Sequence, residues 1–411
     1  MGQQARIAVA GALGNLLEWY DFGLYGLLAP VLAERFFPAH DPIAALLAVY
    51  GGFAAGFAMR PLGAWWLGLL GDRRGRRYVL ILSVTLMGLA TTAVGLLPTY
   101  AQAGLAAPAL LILVRLFQGV SVGGEFVDSV TYLVETSPVR GRGIAGSVAN
   151  IGSTAGMLLA AGVSSLVLSG HGRGDWRIAF LLGGALAAAA YFVRRGLPET
   201  PIATPTTRQE APLRQAIRRQ PWLLLATLAF TSGYGIANYL SMVFLPAWAH
   251  EFHGMAEAQA LRINTAGQGL ALFVVPLAAW VSDRWISRRA LLAFTFAAEA
   301  LVVWEAYRLA GMGTAGFWAA QLALAFLLAV VMGTAPAMLG EQFPAEYRVS
   351  AHAVAFNLGI GIAGGTAPMI ALALIHSSGN PMMAAIYQAA ACALAAAAAL
   401  ALHNRSREPL D

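Results

Sequence analysis

The chain contains no lysine: all 26 basic residues among its 411 are arginine, and charged residues make up only 11% of it. Soluble domains carry about 25% charge, so this chain lacks the means to clothe a soluble surface. The arginines leave a formal charge of +6. Nucleic-acid binding would need them on a polar basic face, and so little charge leaves no such face; no nucleic-acid partner is expected. A single cysteine, Cys392, lies in an alanine-rich run and excludes a disulfide framework or thiolate metal cluster. No Walker sequence is present, so ATP is not the expected energy source. His250 and His253 have no third ligand near them in sequence, and no nucleophile–base set emerges. Neither enzyme, cofactor nor metal is expected. The first apolar stretch outruns a signal-peptide core and carries Glu18 and Asp21, so no cleaved leader is expected.

Apolar residues, in contrast, make up 58% of the chain, and a membrane-spanning helix takes about 20 of them. Apolar stretches recur near 7–36, 43–70, 78–98, 105–134, 144–168 and 176–195, then near 221–249, 263–282, 290–310, 315–340, 346–375 and 381–403. Between the two groups runs a polar segment with Pro198, Pro201, Pro205 and Pro212. The fold class is therefore an all-α membrane protein of twelve transmembrane helices. Its expected organisation is a six-helix bundle over 1–195, a cytoplasmic linker over 196–220 and a second bundle over 221–411.

The arginines orient it. Arg73, Arg74, Arg76 and Arg77 follow the second stretch, Arg194 to Arg219 the sixth, and Arg284, Arg288 and Arg289 the eighth. Only Arg35, Arg173, Arg177, Arg262 and Arg308 fall to the other side. The positive-inside rule then places both termini in the cytoplasm of a bacterial-type inner membrane. Two arginines, Arg60 and Arg115, fall inside spans.

The halves repeat. Glu135-Thr-Ser-Pro-Val-Arg-Gly-Arg142 ends the fourth stretch and Glu341-Gln-Phe-Pro-Ala-Glu-Tyr-Arg348 the tenth, both E-x-x-P-x-x-x-R. Asp72-Arg-Arg-Gly-Arg-Arg77 follows the second stretch, and Asp283-Arg-Trp-Ile-Ser-Arg-Arg289 the eighth. Six spans repeated in the same direction imply two bundles related by an axis along the membrane normal, with a substrate at the midplane between them.

Gly68-Leu-Leu-Gly-Asp72-Arg73-Arg74-Gly75-Arg76-Arg77 resembles the G-x-x-x-D-R-x-G-R-R loop signature of the major facilitator superfamily. GNLLEWYDFGLYG (14–26), RPLG (60–63), RLFQGVSVGGEF (115–126), WRIAFLLGG (176–184) and RRGLPETP (194–201) resemble its metabolite:proton symporter branch. That branch includes carriers of citrate, other di- and tricarboxylates, shikimate, proline and betaine. The resemblance is strongest in the first half; in the second, Trp-Ile-Ser replaces the glycine turn of the loop. It implies that Asp72, Arg73, Gly75 and Arg76, with Glu125 and Asp128, form a gating latch. Asp72 would approach a helix N-terminus of the other half, where a carboxylate is favoured, and Arg73 would reach Glu125 or Asp128.

Charge inside the bilayer is costly and normally faces a cavity or a partner. Glu18, Asp21 and Tyr25 share one face of the first span. Asp21 lies ~21 Å along it from the inner edge, and Arg115 ~15 Å from the outer edge of the fourth, so both sit near the middle of a core ~30 Å thick. Asp21, Glu18 and Arg115 are the expected proton-coupling residues. Arg115, Arg60, Tyr25, Gln118, Asn238, Tyr239 and Asn357 are the expected substrate-binding residues; an arginine fork suits a carboxylate. Static ion pairs between spans would use the same residues. His352 is a further pathway candidate, and Glu299 a charge without an assigned role. Gly152-x-x-x-Gly156 and Gly119-x-x-x-Gly123 allow close helix approach. Gly359-Ile-Gly-Ile-Ala-Gly364 reads as a bending helix rather than a dinucleotide loop.

The expected function is proton-coupled symport of a small organic acid by alternating access, by a monomer whose partners are substrate, protons and lipid. The alternatives are symport of a zwitterion such as proline or betaine, and proton-antiport export of a metabolite or drug.

Overall fold

Proline and glycine decide where the expected helices bend. The first, α1, runs Gln3–Leu27 and resumes at Ala29–Phe36. Pro30 in the first turn of the second piece has no N–H to continue the ladder. The fourth, α4, is Ala106–Ser121 and Glu125–Glu135, parted around Val122 and Gly123. Between them lie α2, Pro42–Ala58 with helical continuation to Gly63, and α3, Arg76–Leu96. Next come α5, Arg142–Ser169, and α6, Trp176–Arg195. The computed structural model describes residues 3–37, 42–63, 66–67, 70, 76–123, 125–135, 137–169, 176–196, 212–344, 347–408 and 410.

The segment read as a polar linker contains a short amphipathic helix, Pro212–Arg219. Its Ala216 is buried while Arg214, Arg218 and Arg219 point outward. The second six spans follow. The first of them, α7, is Pro221–Tyr239, a π-widened stretch Leu240–Phe244, and Leu245–His253. After it come α8, Glu257–Arg284; α9, Arg288–Ala310; and α10, Thr314–Gly340. The chain closes with α11, Arg348–Phe356, a second π-widened stretch Asn357–Gly364, and Gly365–Ser378, and with α12, Met383–Ala401. Among the described residues, nine helices are long and apolar enough to cross a membrane, and shorter apolar helices cover Ile81–Leu96 and Ala106–Ser121. With α1 these make the twelve spans of the expected fold.

Each π-widened stretch precedes a proline, Pro246 and Pro368. Leu245 N–H reaches back to the Leu240 carbonyl. In that register Pro246 would have to serve Ser241, and in the α register Met242; it serves neither. Side chains fill both places: Gln321 donates to the Ser241 carbonyl at 3.2 Å, and Asn264 to the Met242 carbonyl at 3.1 Å.

The halves pack alike. α1 crosses α5, and α7 crosses α11. A side chain on Gly156 of α5 would strike the Leu16 backbone of α1, and one on Gly364 of α11 the Gly235 backbone of α7. The two halves meet where α5 lies on α8 and where α2 lies on α11, positions that correspond in the two repeats. Below, the end of the molecule holding the chain termini is the terminal face and the opposite end the distal face.

Candidate functional site

Asp21, midway along α1, receives three donors from two other helices. Arg115 Nη1 of α4 donates to Oδ2 at 2.9 Å, Gln118 Nε2 to Oδ1 at 2.7 Å, and Thr91 Oγ1 of α3 to Oδ1 at 2.6 Å. Arg115 also donates to Gln118 Oε1. All four side chains are buried. The remainder of the Arg115 guanidinium lies over aromatic faces, 4.2 Å from the Tyr25 ring centroid and 4.9 Å from that of Phe22. These rings replace part of the lost hydration, since the quadrupole presents negative charge at the ring face. A second buried pair lies one turn away: Arg60 of α2 donates to Glu18 and sits 5.2 Å over Phe57.

Next to these pairs, between the halves, is a cavity of about 10 Å³ lined by Trp19, Phe126, Asn150, Tyr234, Asn238, Met332, Phe356 and Ile360. It has room for about one water. Aromatic stacks bridge the halves on both sides of it. Trp19 of α1 lies on Tyr239 of α7 at 6.1 Å and 15°, and Phe126 of α4 on Phe356 of α11 at 4.6 Å and 17°. Asn150 of α5 donates to the Met332 carbonyl of α10 at 2.5 Å and interacts with the Tyr234 hydroxyl. Among the described residues, no charged side chain lines the cavity.

Among the described residues, the halves touch toward both ends. Toward the distal face Tyr50 of α2 packs on Phe244 of α7, with ring centroids 6.1 Å apart. Toward the terminal face Asp283, in the last turn of α8, accepts from Gly143 N–H at 2.8 Å and Ile144 N–H at 3.0 Å, in the first turn of α5. A carboxylate at that position meets exposed N–H groups and the positive end of the helix dipole. This is the contact expected of Asp72, made by its counterpart in the second repeat. Asp72, Arg73 and Gly75 themselves, and the side chains of Arg76, Glu125 and Asp128, lie outside the described residues.

Of the other expected residues, the structure unites Asp21, Arg115, Gln118 and Tyr25 in one cluster and Glu18 with Arg60 in another. Only Asn238 lines the cavity; Tyr239 backs it through Trp19. Asn357 donates to the Gly123 carbonyl of α4 at 3.3 Å and so braces the terminal side. His352 is buried against Phe356. Arg60 and Arg115, read as binders of an anionic substrate, are each occupied by a carboxylate in this closed form. Sequence reading missed Thr91, Asn150 and Tyr234. Asn150 could have been found by the rule that found Asp21, a strongly polar residue within an apolar span.

Two repeats of six spans, closed over a central cavity with buried ion pairs beside it, define a membrane carrier that moves a small solute between its halves. The sequence model of the Major Facilitator Superfamily matches residues 11–304, and the chain belongs to that family. It is 32% identical over 429 residues to the proline/betaine transporter of Salmonella typhimurium (strain LT2), covering 100% of this chain and 85% of that one. It is 31% identical over 422 residues to the shikimate transporter of Escherichia coli (strain K12), covering 99% and 96%. A crystal structure of a D-xylose-proton symporter matches with a TM-score of 0.78 at 18% identity, over 100% of this chain and 98% of that one. The chain is a multi-pass membrane transporter and not an enzyme.

Proposed function

We propose that this protein is a proton-coupled symporter of a small zwitterion of the proline or betaine type, importing it by alternating access. The observation that carries the reading is the central cavity. Aromatic stacks flank it, Asn150, Asn238 and Tyr234 supply polar groups, and none of the described lining residues is charged. A net-neutral solute suits such a lining better than an anion does. A quaternary or secondary ammonium would lie against Trp19 and Tyr239, and the amides would take its carboxylate. The 32% identical proline/betaine transporter supports the same class. This reverses the order expected from sequence, where the arginines put a carboxylate first. A carboxylate substrate is the second reading, favoured by the 31% identical shikimate transporter.

Proton coupling rests on Asp21 with Arg115, and on Glu18 with Arg60. When Asp21 takes a proton its bond to Arg115 weakens and the guanidinium is released toward the cavity; loss of the proton restores the pair. The terminal face is assigned to the cytoplasm of the inner membrane, the bundles to 1–195 and 221–411 with 196–220 between them, and the working unit to a monomer. Asp72, Arg73, Gly75 and Arg76, with Glu125 and Asp128, gate that face together with Asp283. Uptake into proteoliposomes under an imposed pH gradient, with proline, betaine and shikimate side by side, tests the reading. Uptake of proline or betaine that follows the gradient supports it. Transport of shikimate alone shifts the substrate to carboxylates, and uptake indifferent to the gradient removes proton symport.

A further inference from the structure

The second half holds a buried carboxylate that neither ion pair of the first half involves. Glu299, midway along α9, is fully buried, and its Oε1 accepts from Gln388 Nε2 of α12 at 2.9 Å. Its Oε2 has no hydrogen-bond partner within ordinary geometry. The ionisable groups that face it are the Cys392 thiol of α12, against the carboxyl, and the Tyr307 hydroxyl farther along α9. Among the described residues no arginine or histidine pairs with it. An ionised carboxylate here would be a buried charge with no counter-charge, whereas a protonated one is neutral and can donate.

Glu299 also stands at the end of a chain of buried amides. The same Gln388 Nε2 donates to Ser241 Oγ of α7 at 2.7 Å. Ser241 lies in the π-widened stretch ahead of Pro246, and its carbonyl accepts from Gln321 of α10, which also donates to Asn264 Oδ1 of α8 at 3.0 Å. The carbonyls that Pro246 leaves without backbone donors are thus held by a network that reaches Glu299. Three residues before Ser241, Asn238 lines the central cavity. π-Widened turns occur frequently at functional sites.

We propose that Glu299 is a proton-binding site of the second half and that its proton sets the π-widened stretch of α7. An ionised Glu299 can only accept, as its Oε1 does from Gln388 N–H. When the proton sits on the oxygen that faces Gln388, that oxygen donates, and Gln388 turns its amide to present Oε1. Ser241, which had accepted from Gln388, must then donate to it. The proton moves onto that carboxyl oxygen and the Glu299–Gln388 and Gln388–Ser241 hydrogen bonds reverse direction, while Gln321 goes on donating to the Ser241 carbonyl; no covalent bond but the new O–H is made or broken. The inference rests on proton-coupled symport for its part in transport, but not for the existence of the proton site.

Infrared difference spectroscopy of the purified protein in lipid tests it in two arms. In a pH titration without solute, the wild type is expected to show the C=O stretch of a protonated carboxyl. Glu299→Gln should lose that band, and Asp21→Asn should keep it. On adding betaine or proline the band should shift in the wild type, while Gln388→Met should keep the band and lose the shift. If Glu299→Gln loses no band that Asp21→Asn keeps, or the wild type shows no such band throughout, the site is overturned. A shift surviving in Gln388→Met overturns the link to α7. The first arm uses no solute, so failure of the substrate reading leaves it decisive.

Discussion

Arg348, at the start of α11, donates to Glu135, at the end of α4, at 2.5 Å across the line between the halves. The reverse pair also forms: Arg142, opening α5, lies 3.6 Å from Glu341 after α10. Each repeat of E-x-x-P-x-x-x-R therefore offers its glutamate to the arginine of the other. The two contacts are unequal. Glu341 is fully buried and also binds Arg288 at 2.5 Å, whereas Glu135 is 41% exposed.

That inequality predicts different effects on closure of the terminal face. Glu341→Gln strips a buried cluster of one charge, a loss of about 3–5 kcal/mol for such pairs. Glu135→Gln removes a screened contact, under about 1 kcal/mol. The readout is the labelling rate of a cysteine placed at buried Ser147 of α5, the native Cys392 being buried. Glu341→Gln should speed labelling by roughly tenfold or more, and Glu135→Gln by about fivefold at most. Equal acceleration by both would show that burial does not set their weight.

Asp21→Asn keeps the hydrogen-bonding shape of the site but cannot cycle a proton or balance Arg115. It is expected to abolish accumulation driven by a pH gradient while leaving solute exchange, measured as counterflow, within roughly tenfold of wild type. Accumulation at the wild-type level by this variant would take Asp21 out of the coupling step.

Trp19 and Tyr239 form the stack between the halves on one side of the cavity. If an ammonium group lies on that face, Trp19→Ala should weaken betaine binding roughly tenfold, the 1–2 kcal/mol of a desolvated cation–π contact. Trp19→Phe should recover most of it, because a smaller ring keeps the face. Binding isotherms decide; equal losses for Ala and Phe would point to packing instead of the cation.

How much of this could be read before the fold was known depends on whether a signal is local. A charge in an apolar run is local, so Asp21, Glu18, Arg60 and Arg115 stood out, and helical rise placed Asp21 opposite Arg115. Thr91 looks like any helix threonine until α3 is laid beside α1. Glu299 was visible as a charge, but its partner is on α12, and nothing along the chain brings α9 and α12 together. The π-widened stretches were hidden for another reason: Pro246 announces a break in the ladder, yet whether α7 kinks or widens is decided by Gln321 and Asn264 on other helices. The arginines also stood out, as candidate binders of an anion. In the fold both are held by carboxylates, and the cavity lining comes from aromatic and amide residues whose types are common in any span.

The glycines at the helix crossings give a prediction about stability. At Gly156 an added Cβ would meet backbone atoms of α1, from Leu16 and Tyr20, and backbone cannot swing aside as a side chain does. At Gly162 of the same helix the nearest atom is the Thr265 methyl at 3.8 Å, ordinary contact. Gly156→Val must therefore push α1 away from α5, an overpacking strain of about 1–3 kcal/mol, and it also displaces Asp21 from Arg115. Gly162→Ala gains helix propensity, up to about 1 kcal/mol. Thermal unfolding in detergent should show a lower midpoint for Gly156→Val and an unchanged or higher one for Gly162→Ala. A Gly156→Val protein as stable as wild type would mean that α1 and α5 are not held this close.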